Sequence, residues 1–199
     1  MPTMYVISGC NGAGKTTASY TILSEVLQCR DFVNSDEIAR GISPFDLSHA
    51  AIDAGRVMLK RIKELTDTKE DFAFETTLAV RSYASLIEKT KKKGYEIMLV
   101  YFWLNSPDLA VERVQNRVIA GGHSIPENVI RRRYWSGMRN LFNIYMPLSD
   151  RWLLINNSET PSSLIAEGSG LKETKIYNGR DYEQLKTLSQ TLLPGLNAQ

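Results

Sequence analysis

The sequence predicts an α/β fold, with a mostly parallel, five-stranded sheet and helices on both faces. Three observations carry that expectation. Short apolar runs alternate with segments of helical period, the pattern of strand–helix–strand units. A glycine-rich stretch, "GCNGAGKTT" (Gly9–Thr17), joins the first apolar run to the first helical segment. The chain has 199 residues, 43% hydrophobic and 23% charged, which suits one ordinary globular core.

The strand candidates are Met4–Ser8, Phe32–Asn34, Phe72–Glu75, Tyr95–Leu104 and Trp152–Asn156. Helices are expected at Lys15–Cys29, Leu47–Leu65, Ser82–Lys93 and Asp108–Ala120. In the second of these, Ala51, Gly55, Met58, Ile62 and Leu65 recur at three- and four-residue steps and define the buried face, with Arg56, Lys60 and Lys63 opposite. Gly94 after "KKK" reads as a helix stop, with the lysines set on the last-turn carbonyls. Beyond Leu104, two helices joined at "GGH" form a helical lid over residues 106–145. Ser124, with Glu127 three residues on and Pro126 between them, predicts a capping box at the start of the second. A small C-terminal β-hairpin around Gly168 and Gly170 and a closing helix are expected over 161–193, with a frayed tail from Pro194. Nothing resembles a repeat or a linker, so the expectation is a single domain over 1–199.

A net charge of +2 does not argue for nucleic acid, so anion recognition has to come from a local cluster. The two cysteines, Cys10 and Cys29, form no CxxC or Cys/His grouping, which points to a reducing compartment and away from a zinc site. The opening "MPTMYVISG" has no basic start or apolar signal core, and no run approaches the roughly 20 apolar residues of a membrane span. A cytoplasmic protein without a membrane partner is expected.

Gly9, Gly14, Lys15 and Thr16 satisfy G-x-x-x-x-G-K-[ST], with a strand before and a helix after. Glycines let the backbone curl so that successive N–H groups point at phosphate oxygens, and the following helix adds its positive end. Gly9, Asn11, Gly12, Ala13, Gly14, Lys15, Thr16 and Thr17 are therefore the candidate ATP contacts. Lys15 would bridge the β- and γ-phosphates, and the Thr16 hydroxyl would ligate Mg2+. Cys10, inside the loop, reads as a space-filler.

The next strand ends carry acids, where ligands of open α/β sheets sit. Asp36 follows the second strand in "VNSDEIAR" and could accept a hydroxyl proton during phosphoryl transfer, or cap the short helix after it. Glu75 ends the third and could face an acceptor or help hold Mg2+. Thr76 and Thr77 offer hydroxyls to a polar substrate, or serve a turn.

Transferring phosphoryl groups attract cations brought in by a lid. Arg113 and Arg117 share a helix face. Arg131, Arg132 and Arg133 are about 100° apart in turn and cannot all face the phosphates. Arg132 lies on a polar strip with Asn128, Ser136 and Arg139, whereas Arg131 leans toward Trp135 and Met138. Arg113 is expected on the nucleotide, Arg117 and Arg132 in catalysis, and His123 at the glycine corner on the substrate or in lid closure.

Taken together, "GCNGAGKTT", "VNSDEIARGISPFD", "FETTL" and "RVQNRVIAGGHSIPENVIRRRY" resemble the zeta-toxin-like family of P-loop kinases, in a short branch. The resemblance implies a P-loop kinase fold and Mg-ATP-dependent transfer to a hydroxyl of a sugar or nucleotide-sugar, such as UDP-N-acetylglucosamine. It implies Asp36 as catalytic base, Glu75 and the two threonines on the sugar side, and lid arginines on the ATP phosphates. A small-molecule substrate and a neutralising antitoxin protein are the partners it implies. Two other classes fit a phosphate loop: an ATP-binding regulatory module or NTPase acting on a protein, and a nucleic-acid end kinase.

Overall fold

The structure, a computed structural model, describes residues 1–190, apart from the side chains of Ser24, Val26, Ser48 and Thr174. The expected end of the closing helix at 193 and the tail from Pro194 lie outside the described residues. In chain order the elements are β1 (Thr3–Gly9), α1 (Lys15–Thr21, widening into a π-type turn over Ile22–Val26), β2 (Asp31–Val33), α2 (Ser35–Ile42), α3 (Leu47–Thr68), β3 (Phe72–Thr76) and α4 (Ser82–Lys92). They continue with β4 (Glu96–Trp103), α5 (Pro107–Ile119), α6 (Glu127–Asn140, followed by a π-type turn over Leu141–Tyr145), α7 (Met146–Leu148), β5 (Arg151–Asn156), β6 (Ser163–Ser169), β7 (Lys172–Ile176) and α8 (Gly179–Gln190).

The sheet runs β2-β3-β1-β4-β5-β6-β7. The five strands β1 to β5 pair in parallel, as expected for runs that alternate with helices. β1 is buried along its whole length, which requires cover on both faces. The strand count differs from expectation. The hairpin β6–β7 pairs antiparallel onto β5 and extends the sheet to seven strands. Left alone, β5 would present a row of unpaired backbone groups; β6 covers that edge and buries Ile165 and Ala166.

Two local expectations fail for identifiable reasons. α6 begins at Glu127 with the extended Pro126 at the cap position and no side-chain cap, so the Ser124–Glu127 box does not form. A box needs Glu at the third helical residue, but Glu127 is the first, and its carboxylate accepts from Arg131 instead, at 2.8 Å. On α3 the buried face is Ala50, Ala54, Met58, Ile62 and Leu65, whereas Ala51 is exposed. The first half of α3 packs on α2 through a small satellite cluster of Ala39, Ala50 and Ala54, not on the sheet, which rotates its face by one residue. The lysine run ends α4 as expected, and Lys91 also bridges to Asp150 at 2.8 Å.

The turn after β3 is held from α6. Leu78 is fully buried with φ 57°, a left-handed conformation that costs an ordinary residue roughly 1–2 kcal/mol. Its N–H donates to Thr76 Oγ1 (3.1 Å) and its carbonyl accepts from Asn140 Nδ2 (2.7 Å). The Tyr145 hydroxyl donates to the Val80 carbonyl. Gly137 lets α6 come this close, because a Cβ there would stand 2.5 Å from the Thr77 carbonyl oxygen. Asn140→Leu keeps the side chain's bulk but leaves a buried carbonyl without its donor. It should lower stability by about 1–3 kcal/mol in chemical denaturation. An unchanged midpoint would show that Asn140 does not hold the turn.

Candidate functional site

Strand register assembles the site. Parallel pairing sets Ile7 beside Glu75 and Ser8 beside Thr76, while Val33 pairs with Phe74. The phosphate loop after β1, Glu75 at the end of β3 and Asn34 after β2 therefore arrive at one level. Gly12 and Gly14 take φ of 80° and 78°, the left-handed turns that aim loop amides inward. Lys15 is 6% exposed; its Nζ donates to the Cys10 carbonyl (2.9 Å) and lies 3.4 Å from the Glu75 carboxylate. Glu75 also accepts from Thr16 Oγ1 (2.8 Å) and Asn34 Nδ2 (2.9 Å). Burial pushes the Cys10 thiol up to about 11, so it is protonated and inert at neutral pH.

Asp36 is not the cap of α2. Asn34 takes that place, its Oδ1 accepting from the Asp36 N–H (2.9 Å) and more weakly from the Glu37 N–H (3.4 Å). Either residue type caps well, and the helix starts two residues earlier than the sequence suggests. Among the described residues, no hydrogen bond or ion pair engages the Asp36 carboxylate. The side chain facing it electrostatically is Arg133, one of the three consecutive arginines of which the sequence leaves open which one faces the phosphates. Arg133 is half-buried, donates to Asn11 Oδ1 in the phosphate loop (3.2 Å), and among the described residues makes no ion pair within contact distance. Burial lowers the pKa of its guanidinium from the ordinary value, the Asp36 charge opposes that shift, and the Arg132 charge adds to it.

The other arginines divide. Arg131 turns away from the site to Asp108 (2.7 Å) and Glu127, rather than toward Trp135 and Met138. Arg117 donates to the His123 carbonyl (2.9 Å) and closes the glycine corner. Arg113, expected on the nucleotide, donates to the carbonyls of Asn157 (2.7 Å) and Ser158 (2.8 Å). Asn157 in turn donates from Nδ2 to the Ala13 carbonyl (2.8 Å). The turn after β5 thus clamps the phosphate loop, with Arg113 as its strut. A lone Asn at a strand end carries no sequence signal for that task.

Two cavities of about 390 Å3 each meet at Ser35, Asp36 and Arg133. One adds Asn11, Lys15, Glu75, Thr76, Thr77 and Arg132. The other lies between the α2–α3 pair and the lid corner, and adds Thr16, Arg117 and His123 with an apolar wall of Leu47, Ile125 and Val129. A larger cavity of about 740 Å3, beside Tyr20, Phe32 and Val57, touches the site through Asn34 and Glu37 but contains no residue of the phosphate loop. Around Asp36 the chain offers cations, loop amides and a carboxylate free to take a proton, the inventory of phosphoryl transfer.

The cap assignment is open to test. Asn34→Ala should cost about 1–2 kcal/mol in thermal or chemical denaturation, through the lost cap and the lost Glu75 contact. Asp36→Ala should leave the melting temperature nearly unchanged. A larger loss in the Asp36 variant would return the capping role to Asp36.

Comparison with known proteins matches these features. The model of the Zeta toxin family fits residues 1–145. An uncharacterised protein of Haemophilus influenzae (strain ATCC 51907 / DSM 11121 / KW20 / Rd) is 31% identical over 126 residues, covering 63% of this chain and 88% of that protein. Among solved structures, the AvrRxo1-ORF1:-ORF2 complex with ATP superposes with a TM-score of 0.79 at 16% identity, over 98% of this chain. This chain spans 66% of that one, just under two thirds of its length. The PezAT chromosomal toxin-antitoxin system of Streptococcus pneumoniae gives a TM-score of 0.65 at 15% identity, covering 94% of this chain and 84% of that one. These likenesses show the P-loop kinase fold, and the family match over most of its length shows that the chain belongs to the zeta toxin family.

Proposed function

We propose that this chain is a Mg-ATP-dependent kinase that transfers the γ-phosphoryl group of ATP to a hydroxyl of a sugar or nucleotide-sugar, of the kind represented by UDP-N-acetylglucosamine. One observation carries the reading: the Asp36 carboxylate, which among the described residues makes no hydrogen bond or ion pair, stands in the same cavity as the phosphate-loop lysine and faces the half-buried Arg133. The acceptor's O–H gives its proton to Asp36 as its oxygen bonds to the γ-phosphorus. The bond from that phosphorus to the bridging oxygen breaks, and ADP leaves with the electron pair.

The residues present suit both ATP and Mg2+. The left-handed glycines and Lys15 fit a triphosphate. Thr16 Oγ1 donates to Glu75 and keeps its lone pairs for a cation, and the Glu75 carboxylate is a second hard oxygen donor. Among the described residues, no group of three or more His, Cys, Asp or Glu could hold a metal alone, and Mg2+ carried on phosphates needs only one or two protein oxygens. When bound, Mg2+ would be held by Thr16 and Glu75 and would supply positive charge against that developing on the phosphates. Lys15 holds the β/γ end, Arg133 stabilises the moving phosphoryl from the lid side, and Glu75 orients Thr16. The family and the likeness to PezAT also support an antitoxin protein as partner. No helix among the described residues is long and apolar enough to cross a membrane, and we place the reaction in the cytoplasm, where ATP is available.

Two substitutions test the reading, with products followed by mass spectrometry after incubation with Mg-ATP and a bacterial metabolite pool. Lys15→Ala should weaken Mg-ATP binding at least tenfold by calorimetry while the fold persists. Asp36→Asn should keep Mg-ATP affinity and melting temperature but lower product formation about a hundredfold or more. Full product formation by the Asp36 variant would overturn the assignment of the base.

A further inference from the structure

Among the described residues the Asp36 carboxylate makes no hydrogen bond, so it stands where the backbone of α2 carries it. The start of that backbone is held by one side chain. Asn34, 6% exposed in the lining of the cavity, accepts on Oδ1 from the N–H groups of Asp36 (2.9 Å) and Glu37 (3.4 Å). Its Nδ2 donates in the other direction, to Glu75 Oε2 at 2.9 Å. The same oxygen accepts from Thr16 Oγ1, and the other carboxylate oxygen lies 3.4 Å from Lys15 Nζ. The amide can take only this orientation. Turned over, its oxygen would face a carboxylate and its NH2 group would face two N–H donors.

Capping alone does not call for this residue, because Asp and Ser cap helices about as well as Asn. Aspartate would set a second carboxylate against Glu75, and serine has one short oxygen in place of a donor and an acceptor on separate atoms. The amide is what faces both ways. The rest of α2 adds little restraint, since it meets α3 through the small cluster of Ala39, Ala50 and Ala54. The inner end of α2, and Asp36 with it, therefore rests on Asn34.

We propose, resting on the kinase reading, that Asn34 is a positioning residue for the transfer step. It ties the proton acceptor, Asp36, to the carboxylate that orients Thr16 and Lys15, so the acceptor side and the nucleotide side keep a fixed separation. Without that tie the nucleotide site persists, but Asp36 drifts from the hydroxyl whose proton it takes, and turnover falls.

The test uses the full chain with Mg-ATP and the bacterial metabolite pool, following phosphorylated product by mass spectrometry. Asn34→Ser keeps a capping oxygen and loses the donor to Glu75. It should lower the apparent kcat about tenfold or more, while KM for Mg-ATP stays within about threefold of wild type. Asn34→Asp, a cap with no proton to donate at neutral pH, should lose kcat likewise, and it stands in if the serine variant folds poorly. The double variant decides. Because Asn34 acts through Asp36, adding Asn34→Ser to Asp36→Asn should slow the reaction no more than about twofold beyond Asp36→Asn alone. Unchanged kcat in Asn34→Ser, or its full loss repeated in the double variant, would overturn the positioning role and leave the kinase reading intact. Full product formation by Asp36→Asn would overturn the base and this role with it, and a wild-type chain that forms no product would overturn the kinase reading as well.

Discussion

Parallel pairing of β1 with β3 is the constraint on which the rest of the site depends. It sets Ser8 against Thr76 and Ile7 against Glu75, so the loop leaving β1 meets the acid ending β3 with no long side chain needed to bridge them. The Glu75 carboxylate then joins Lys15, Thr16 and Asn34, which belong to α1, the phosphate loop and the end of β2. A slip of one residue between β1 and β3 would turn Glu75 to the other face of the sheet and leave the buried Lys15 ammonium without its carboxylate. Such a lone buried charge is among the costliest defects a fold can carry.

A second set of contacts approaches the same loop from the opposite side. Asn157 binds the Ala13 carbonyl, Arg113 fixes the turn that carries Asn157, and Asn11 receives Arg133 from α6. The phosphate loop is thus gripped by the sheet, by the turn after β5 and by the lid helix. Its shape is set before any nucleotide arrives, which lowers the ordering cost of binding.

Much of this was legible in the sequence, and the parts that were not have physical reasons. The phosphate loop is local chemistry at fixed spacing, so "GCNGAGKTT" announces itself. The five parallel strands were readable because burial on both faces writes continuous apolar runs. The hairpin's membership of the sheet was not, because a strand does not encode which distant edge it will cover. The choice among Arg131, Arg132 and Arg133 depends on how α6 is rotated about its axis, which is set by Ile130, Tyr134, Gly137 and Met138 packing inward. Asn34 and Asp36 are both good caps, and only the backbone at the end of β2 decides between them. Asn157 and the strained Leu78 act through carbonyl groups, which every residue possesses and no side-chain pattern reports.

The α2–α3 pair has a different standing from the rest of the molecule. Where the strands of the sheet bury large side chains such as Trp103, Trp152 and Phe74, this pair is joined by three alanines, Ala39, Ala50 and Ala54, with Ile38 and Leu47 beside them. An interface of methyl groups is shallow. Few atoms interlock, sliding one helix past the other leaves little empty volume, and the resistance to rotation is small compared with that of an aromatic core. Phe45, wholly exposed at the corner between the two helices, adds nothing to that resistance. One wall of the cavity beside Asp36 therefore rests on a soft joint at the α2–α3 contact, while its inner end is tied through Asn34 and Glu75 to the phosphate loop.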